Sequence, residues 1–426
     1  MPEDKRFIYP GMKVPFILLV TCFAAWGVAA NMTDPLVQVF SRVFSMSALQ
    51  SSLVQFSYYG AYFLLALPAA FINRRFSYKT GVLLGLGLAI AGAFLFYPAS
   101  VAMTYGYFLL ALFALAGGLS ILETSANPFV IAMGPEENAT RRLNFAQAFN
   151  PVGTNIGVFL SAALILPNLN TATDAERAAM SQAELVAVRS DELQAVMVPY
   201  VGYACVMLAI WIAVAVIPMR ARDEAAGPGP MSAGTFRRLL SNRHYAFGVI
   251  AQFFNVAAQT CIWTYTIQYA GAALGIEPGP AGWYLQASLI VFLISRFAMV
   301  WLMGYVNPAL LLAILALSGT ALSLFAVLTP TIAGVWAVVA LSACLSLMFP
   351  TIYGIALEGL GEDTKFGAAG LVMAILGGAL MPMVQGATID AFGATVSYVV
   401  PAACFLVVAA YGAFDLTANR SAHRGG

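Results

Sequence analysis

Twelve times along this chain the sequence runs for the length of a membrane span with almost no charge, and that repetition constrains the fold more than any motif. A helix needs roughly 20 consecutive apolar residues to cross a bilayer. The runs fall at about 15–40, 48–73, 79–98, 102–133, 142–166, 195–218, 244–270, 280–304, 308–328, 331–358, 366–390 and 393–415. Of 426 residues, 61% are hydrophobic and only 9% charged, with mean hydropathy +0.83. A soluble domain carries roughly 25% charged residues, so this chain cannot present a water-compatible surface. The expected fold is all-α and integral to a membrane, with twelve transmembrane helices. A net charge of +1 leaves no basic excess for a nucleic-acid partner. The five cysteines are scattered through apolar runs without CxxC spacing, so inert buried thiols are expected rather than a metal site or disulfides. The run after MPEDKR is of full span length and lacks a small-residue cleavage site, so no cleaved signal is expected.

Basic residues accumulate on the cytoplasmic side of membrane proteins. Placing the N-terminus there collects sixteen lysines and arginines on that side and three on the other, Arg42, Arg177 and Arg189. Both termini are therefore expected in the cytoplasm. The connection 219–243, with its GPGP and five arginines, follows the sixth span and divides the chain into halves 1–218 and 244–426. The polar stretch 169–192 reads as an external, partly helical loop. The halves echo each other: GLSILETSANPFVIAMGPEE (118–137) lines up with CLSLMFPTIYGIALEGLGED (344–363), setting Glu123 opposite Phe349. Two pseudo-symmetric six-helix halves are the expected architecture.

Three ionisable residues remain at membrane depth, Asp34, Glu123 and Arg296, and each is a candidate functional residue. An ionised acid at mid-bilayer costs ~2.5–3.5 kcal/mol on insertion scales. Protonating a glutamic acid of reference pKa about 4.3 at pH 7 costs about 3.7 kcal/mol. Those magnitudes nearly cancel, as a proton carrier requires; a structural carboxylate satisfied by polar helix neighbours is the alternative. Arg296 lies roughly 12 Å from the cytoplasmic end of the eighth span, at about 1.5 Å per residue. It is either a gate or electrostatic partner for one of these acids, or structural.

Proline cannot donate to the carbonyl four residues back. Pro35 thus frees the carbonyl of Asn31, Pro128 that of Thr124 and Pro151 that of Gln147. At membrane depth a freed carbonyl must find water, protein or ligand. Amides gather near these breaks: Asn31 with Asp34, Asn127 with Glu123, and the stripe Asn144, Gln147 and Asn150. An amide both donates and accepts, which suits hydroxyl groups; bonding between neighbouring helices is the alternative. The second half offers Asn255 and Gln259 on one face of the seventh span, then Trp263, with Phe349 and Tyr353 in the tenth. A polar first half facing an aromatic second half matches the two faces of a pyranose ring.

With these residues in hand, the chain resembles the L-fucose:proton symporter and hexose permease family of the major facilitator superfamily. The resemblance rests on LETSANPFV (122–130), GPEENATRRLNFAQAFNPVG (134–153), AQTCIWTYTIQYA (258–270) and LGEDTKFG (360–367), and spans nearly the whole length. It implies alternating access and proton-coupled monosaccharide uptake in the inner membrane. The protonatable pair would be Asp34 and Glu123. Asn31, Asn127, Gln147 and Asn150 would line the sugar cavity, with Gln259, Trp263 and Phe349 opposite. The chain departs from the family pattern at Ala30 and Thr33, at Phe349 where an aromatic hydroxyl is expected, and at 73–81, NRRFSYKTG, which lacks the superfamily's usual acid. The expected partners are a monosaccharide, a proton and the lipid bilayer, with no cofactor, no metal and no enzyme activity, the chain acting as a monomer. A facilitative hexose uniporter, a proton-driven drug exporter and a membrane sensor are the competing readings; tails as short as MPEDKRFIYPGMK and LTANRSAHRGG argue against the sensor.

Overall fold

A backbone in lipid must satisfy its own hydrogen bonds, and a chain with this many apolar runs does so as helices. The computed structural model describes residues 6–43, 48–170, 172, 174–219 and 234–422. Its spanning helices are α1 (Lys13–Val43), α2 (Ala48–Arg75), α3 (Tyr78–Ala102), α4 (Tyr105–Ala132), α5 in two pieces (Ala139–Gln147 and Phe149–Leu160) and α6 (Gln182–Val216). The second half repeats them as α7 (Arg243–Leu274), α8 (Pro278–Leu302), α9 (Pro308–Leu328), α10 (Ile332–Leu345 and Met348–Leu357), α11 (Thr364–Met373 and Gly377–Phe392) and α12 (Val399–Ala422). The external stretch carries a short helix, Asp174–Ala179, whose Arg177 pairs with Glu192 at 2.5 Å. Four cysteines are buried as expected; Cys205 is instead exposed on α6, where no neighbouring helix covers it.

Local chemistry sets the helix ends. Ser77 caps α3 by accepting from Thr80 N at 3.1 Å, and Asn242 caps α7 by accepting from Tyr245 N at 3.1 Å. Within the first half, helices approach through glycine. A Cβ on Gly118 would strike the backbone of Ala89, and one on Gly27 the carbonyl oxygen of Asn150, so α3 meets α4 and α1 meets α5 at backbone distance. Small residues at such crossings are how helices associate in lipid.

The internal repeat is visible in three dimensions. A 3₁₀ turn, Glu136–Asn138, leads into α5, and its counterpart, Gly361–Asp363, leads into α11. Both following helices break near mid-length, α5 at Ala148 and α11 through a 3₁₀ turn at Ala374–Leu376.

The two halves meet at the end of the bundle that carries the basic loops. Lys365 Nζ donates to the carbonyl of Asn73 at 3.0 Å and lies 5.0 Å from the Tyr78 ring centre. Phe366 packs edge-on against Phe71 with centroids 5.0 Å apart, and Arg74 covers the same ring at 5.6 Å. Asn144 Nδ2 donates to Thr351 Oγ1 at 3.1 Å, and Gly354 sits so close to Thr140 that a Cβ there would come within 2.6 Å of its hydroxyl. This end is closed.

Candidate functional site

Glu123 lies on α4, nine residues before the helix ends at Ala132, which puts it roughly 14 Å above the closed end at about 1.5 Å per residue. It is 1% exposed, and neither carboxylate oxygen meets a hydrogen bond of good geometry, although the amide of Asn127 stands close by on the same helix. Among the described residues the ion pairs are Arg177–Glu192, Arg238–Asp363 and His244–Asp415, so no cation neutralises it. The phenols of Tyr62 on α2 and Tyr353 on α10 lie within electrostatic reach, one from each half. Trp26 Nε1 donates to the Tyr62 hydroxyl at 2.9 Å, which ties α1 to the same cluster.

The amides around this acid do not form one uniform wall. Asn127, one turn below Glu123, accepts from Gln147 Nε2 at 2.7 Å while its own Nδ2 is unpartnered. The Asn144, Gln147 and Asn150 stripe is divided among three neighbours. Asn144 turns to Thr351 of the other half, Gln147 to Asn127, and Asn150 Nδ2 to the carbonyl of Phe23 at 3.4 Å. Asn31 Nδ2 reaches Gly27 O at 3.1 Å and Thr154 Oγ1 at 3.0 Å, joining α1 to α5. Asp34 falls within the helical backbone of α1, but its side chain lies outside the described residues.

The carbonyl that Pro128 frees, Thr124 O, is taken by Asn73 Nδ2 at 3.3 Å, while Asn73 Oδ1 accepts from Ser125 Oγ at 2.8 Å. Asn73, in the stretch 73–81 that lacks the superfamily's usual acid, thus bonds both Thr124 O and the Ser125 hydroxyl, the two residues that follow Glu123. Sequence reading singled out the freed carbonyl but not its partner, which comes from a different helix.

In the second half, Gln259, Trp263 and Phe349 are each partly exposed, and Trp263 Nε1 donates to Ser342 Oγ at 3.1 Å. Arg296 is buried with Nε and Nη1 unpartnered, its guanidinium 4.9 Å from the Phe292 ring centre. No ion pair joins it to Glu123. Gln252, which sequence reading passed over, donates to Phe349 O at 3.5 Å; its three-residue spacing from Asn255 was the available signal.

A site of this kind can hold a proton on Glu123 and present amide and phenol groups to hydroxyls, at the junction of two halves closed on one side. Comparison with known proteins places that geometry. An L-fucose-proton symporter of Haemophilus influenzae is 40% identical over 423 residues, covering 96% of this chain and 97% of that protein. A glucose/galactose transporter of Brucella abortus is 34% identical over 398 residues, covering 92% of each chain. The crystal structure of FucP, a major facilitator transporter in the outward conformation, superposes with a TM-score of 0.89 at 35% identity, covering 95% of this chain and 99% of that one. The family model of the Major Facilitator Superfamily matches residues 17–375, and the chain belongs to that superfamily of multi-pass membrane transporters.

Proposed function

We propose that this chain imports a monosaccharide, L-fucose or a related hexose, together with a proton across the inner membrane. The carrying observation is Glu123, a carboxyl group sealed at the junction of both halves with no cation on either oxygen and only the amide of Asn127, one turn away, near enough to donate. Desolvating an ionised carboxylate without compensation costs several kcal/mol. The site therefore closes around Glu123 readily once a proton or a donating hydroxyl has arrived, which is the linkage a symporter needs. The relatives' printed names, a fucose-proton symporter and a glucose/galactose transporter, support a hexose as cargo.

In this reading the basic end faces the cytoplasm, as do both termini, and the structure is the state closed to the cytoplasm. Residues 1–218 rock against 244–426 about the central site, with 219–243 as the linker between them. Glu123 carries the proton, Asp34 couples protonation to the α1 side, and Asn31, Asn127, Gln147 and Asn150 read sugar hydroxyls. Gln259, Trp263 and Phe349 form the opposite wall, while Arg296, free of an acid partner here, acts as an electrostatic gate in another state. In proteoliposomes, L-fucose, D-glucose or D-galactose should alkalinise the medium as protons enter with the sugar. Glu123→Gln should abolish this proton movement and accumulation while sparing sugar exchange. Accumulation by the variant at the wild-type level would remove Glu123 from coupling, and sugar flux without proton movement in the wild type would make the protein a uniporter.

A further inference from the structure

On α7 the residues Gln252, Asn255, Gln259 and Trp263 follow one another at helical spacing along one face. The upper two, Gln259 and Trp263, are partly exposed; the lower two, Gln252 and Asn255, are fully buried. Asn255 has neither Oδ1 nor Nδ2 partnered, and Gln252 Oε1 is also unpartnered. Buried amides left this way are rare, because each missing bond leaves a desolvated polar group without compensation. Gln252 begins roughly 14 Å above Arg243 at about 1.5 Å per residue, the depth at which Glu123 stands in the other half. Its Nε2 bonds the Phe349 carbonyl, so it lies against α10 just below the break that separates Leu345 from Met348. Because α7 and α10 run antiparallel, Asn255 is level with that break. There Pro350 leaves the carbonyl of Ser346 without its helical donor.

We propose that Gln252 and Asn255 form an inner sugar subsite on the second half, sealed in this conformation and opened as the halves part at the basic end. Gln259 and Trp263 meet the sugar first; Gln252 and Asn255 take its hydroxyls at the depth of Glu123 before release. Three unpartnered atoms, two acceptors and one donor, match a vicinal diol, which both donates and accepts. This inference rests on the monosaccharide reading above.

The test pairs a protein substitution with sugar deletions. Purified full-length wild type and Asn255→Leu are compared in L-fucose counterflow, competed by sugars lacking one hydroxyl each. In the wild type, loss of the hydroxyl read by Asn255 weakens competition on the order of tenfold or more, the cost of leaving a buried amide unpaired. In Asn255→Leu the penalty at that one position falls to within about twofold, other positions keep theirs, and the melting temperature does not drop, since the removed amide made no bond. A near-isosteric Gln252→Met serves if Asn255→Leu does not fold. Unchanged penalties at every position in a folded, transporting variant would mean these amides hold only internal water, and the proposal fails. A wild type that transports no hexose overturns the monosaccharide reading itself, a separate outcome.

Discussion

Lys365 offers the sharpest test of how the closed end is held. Its ammonium donates to the carbonyl of Asn73 at 3.0 Å and rests on the Tyr78 ring at 5.0 Å, so a single side chain of the second half grips two residues of the first. A hydrogen bond from a charged donor contributes about 1.5–3 kcal/mol, and a cation–π contact at a partly exposed site ~0.5–1 kcal/mol. Lys365 is only partly buried, and in the open state water replaces both partners, which lowers the net difference to about 1–2 kcal/mol. Lys365→Met keeps the apolar stem against Tyr78 and removes the charge. The ratio of closed to open states should then fall by a factor of roughly 5–30, at about 1.36 kcal/mol per tenfold. Phe76 and Tyr305 are exposed at the basic end, one in each half, and accept spin labels without touching the contact. Pulsed-resonance distances between them should gain a longer component in Lys365→Met. An identical distance distribution in a folded variant would show that this lysine does not hold the halves together.

Two further predictions concern the same end. Arg142, fully buried, gathers the carbonyls of Val130 at 2.8 Å, Phe7 at 3.1 Å, Gly134 at 3.1 Å and Pro135 at 3.2 Å, together with Ile131. Arg142→Lys replaces a five-donor fork with three donors on one point, leaving two carbonyls unpaired at about 1–3 kcal/mol each; melting followed by tryptophan fluorescence should fall by several degrees, and an unchanged transition would refute this role. Glu358, just beyond the end of α10, has an exposed surface yet its carboxyl is raised above the usual carboxylate range by partial desolvation, then by Asp415 and by Glu136 of the first half, against an opposing effect of His244. A carboxyl that binds its proton more tightly when this end is closed favours closure as pH falls and releases it as pH rises. Glu358→Gln should flatten the pH dependence of the label distance on the acidic side of neutrality, and a wild-type pH profile in the variant would rule Glu358 out.

The sequence exposed most of the architecture because membrane spans announce themselves. Span 308–328 coincides with α9 to the residue, and the asymmetric acid stood out as a charge inside an apolar run. Partners from other helices could not be read. Arg142 looked like one more cytoplasmic charge, yet it caps the end of α4 through carbonyls that local sequence does not reveal. The Asn144, Gln147 and Asn150 stripe assumed an unbroken helix. Its members instead bond Thr351, Asn127 and the Phe23 carbonyl on three different helices, and interhelical bonding accounts for much of it.

Pro128 shows where local reasoning led and where tertiary structure redirected it. The count of four residues back correctly freed Thr124 O, and lipid chemistry correctly demanded a partner for it. Water or sugar would have made that carbonyl part of the binding site. The partner is Asn73, whose own carbonyl accepts from Lys365 across the gate. An ionised acid at position 73 could not donate to Thr124 O, whereas the amide donates there and accepts from Ser125 with its other atom. The proline therefore ties the helix carrying Glu123 to the contact that closes the basic end. In the proposed symport reading, a shift of α4 around a newly protonated Glu123 passes through Thr124 and Ser125 to Asn73 and from there to Lys365.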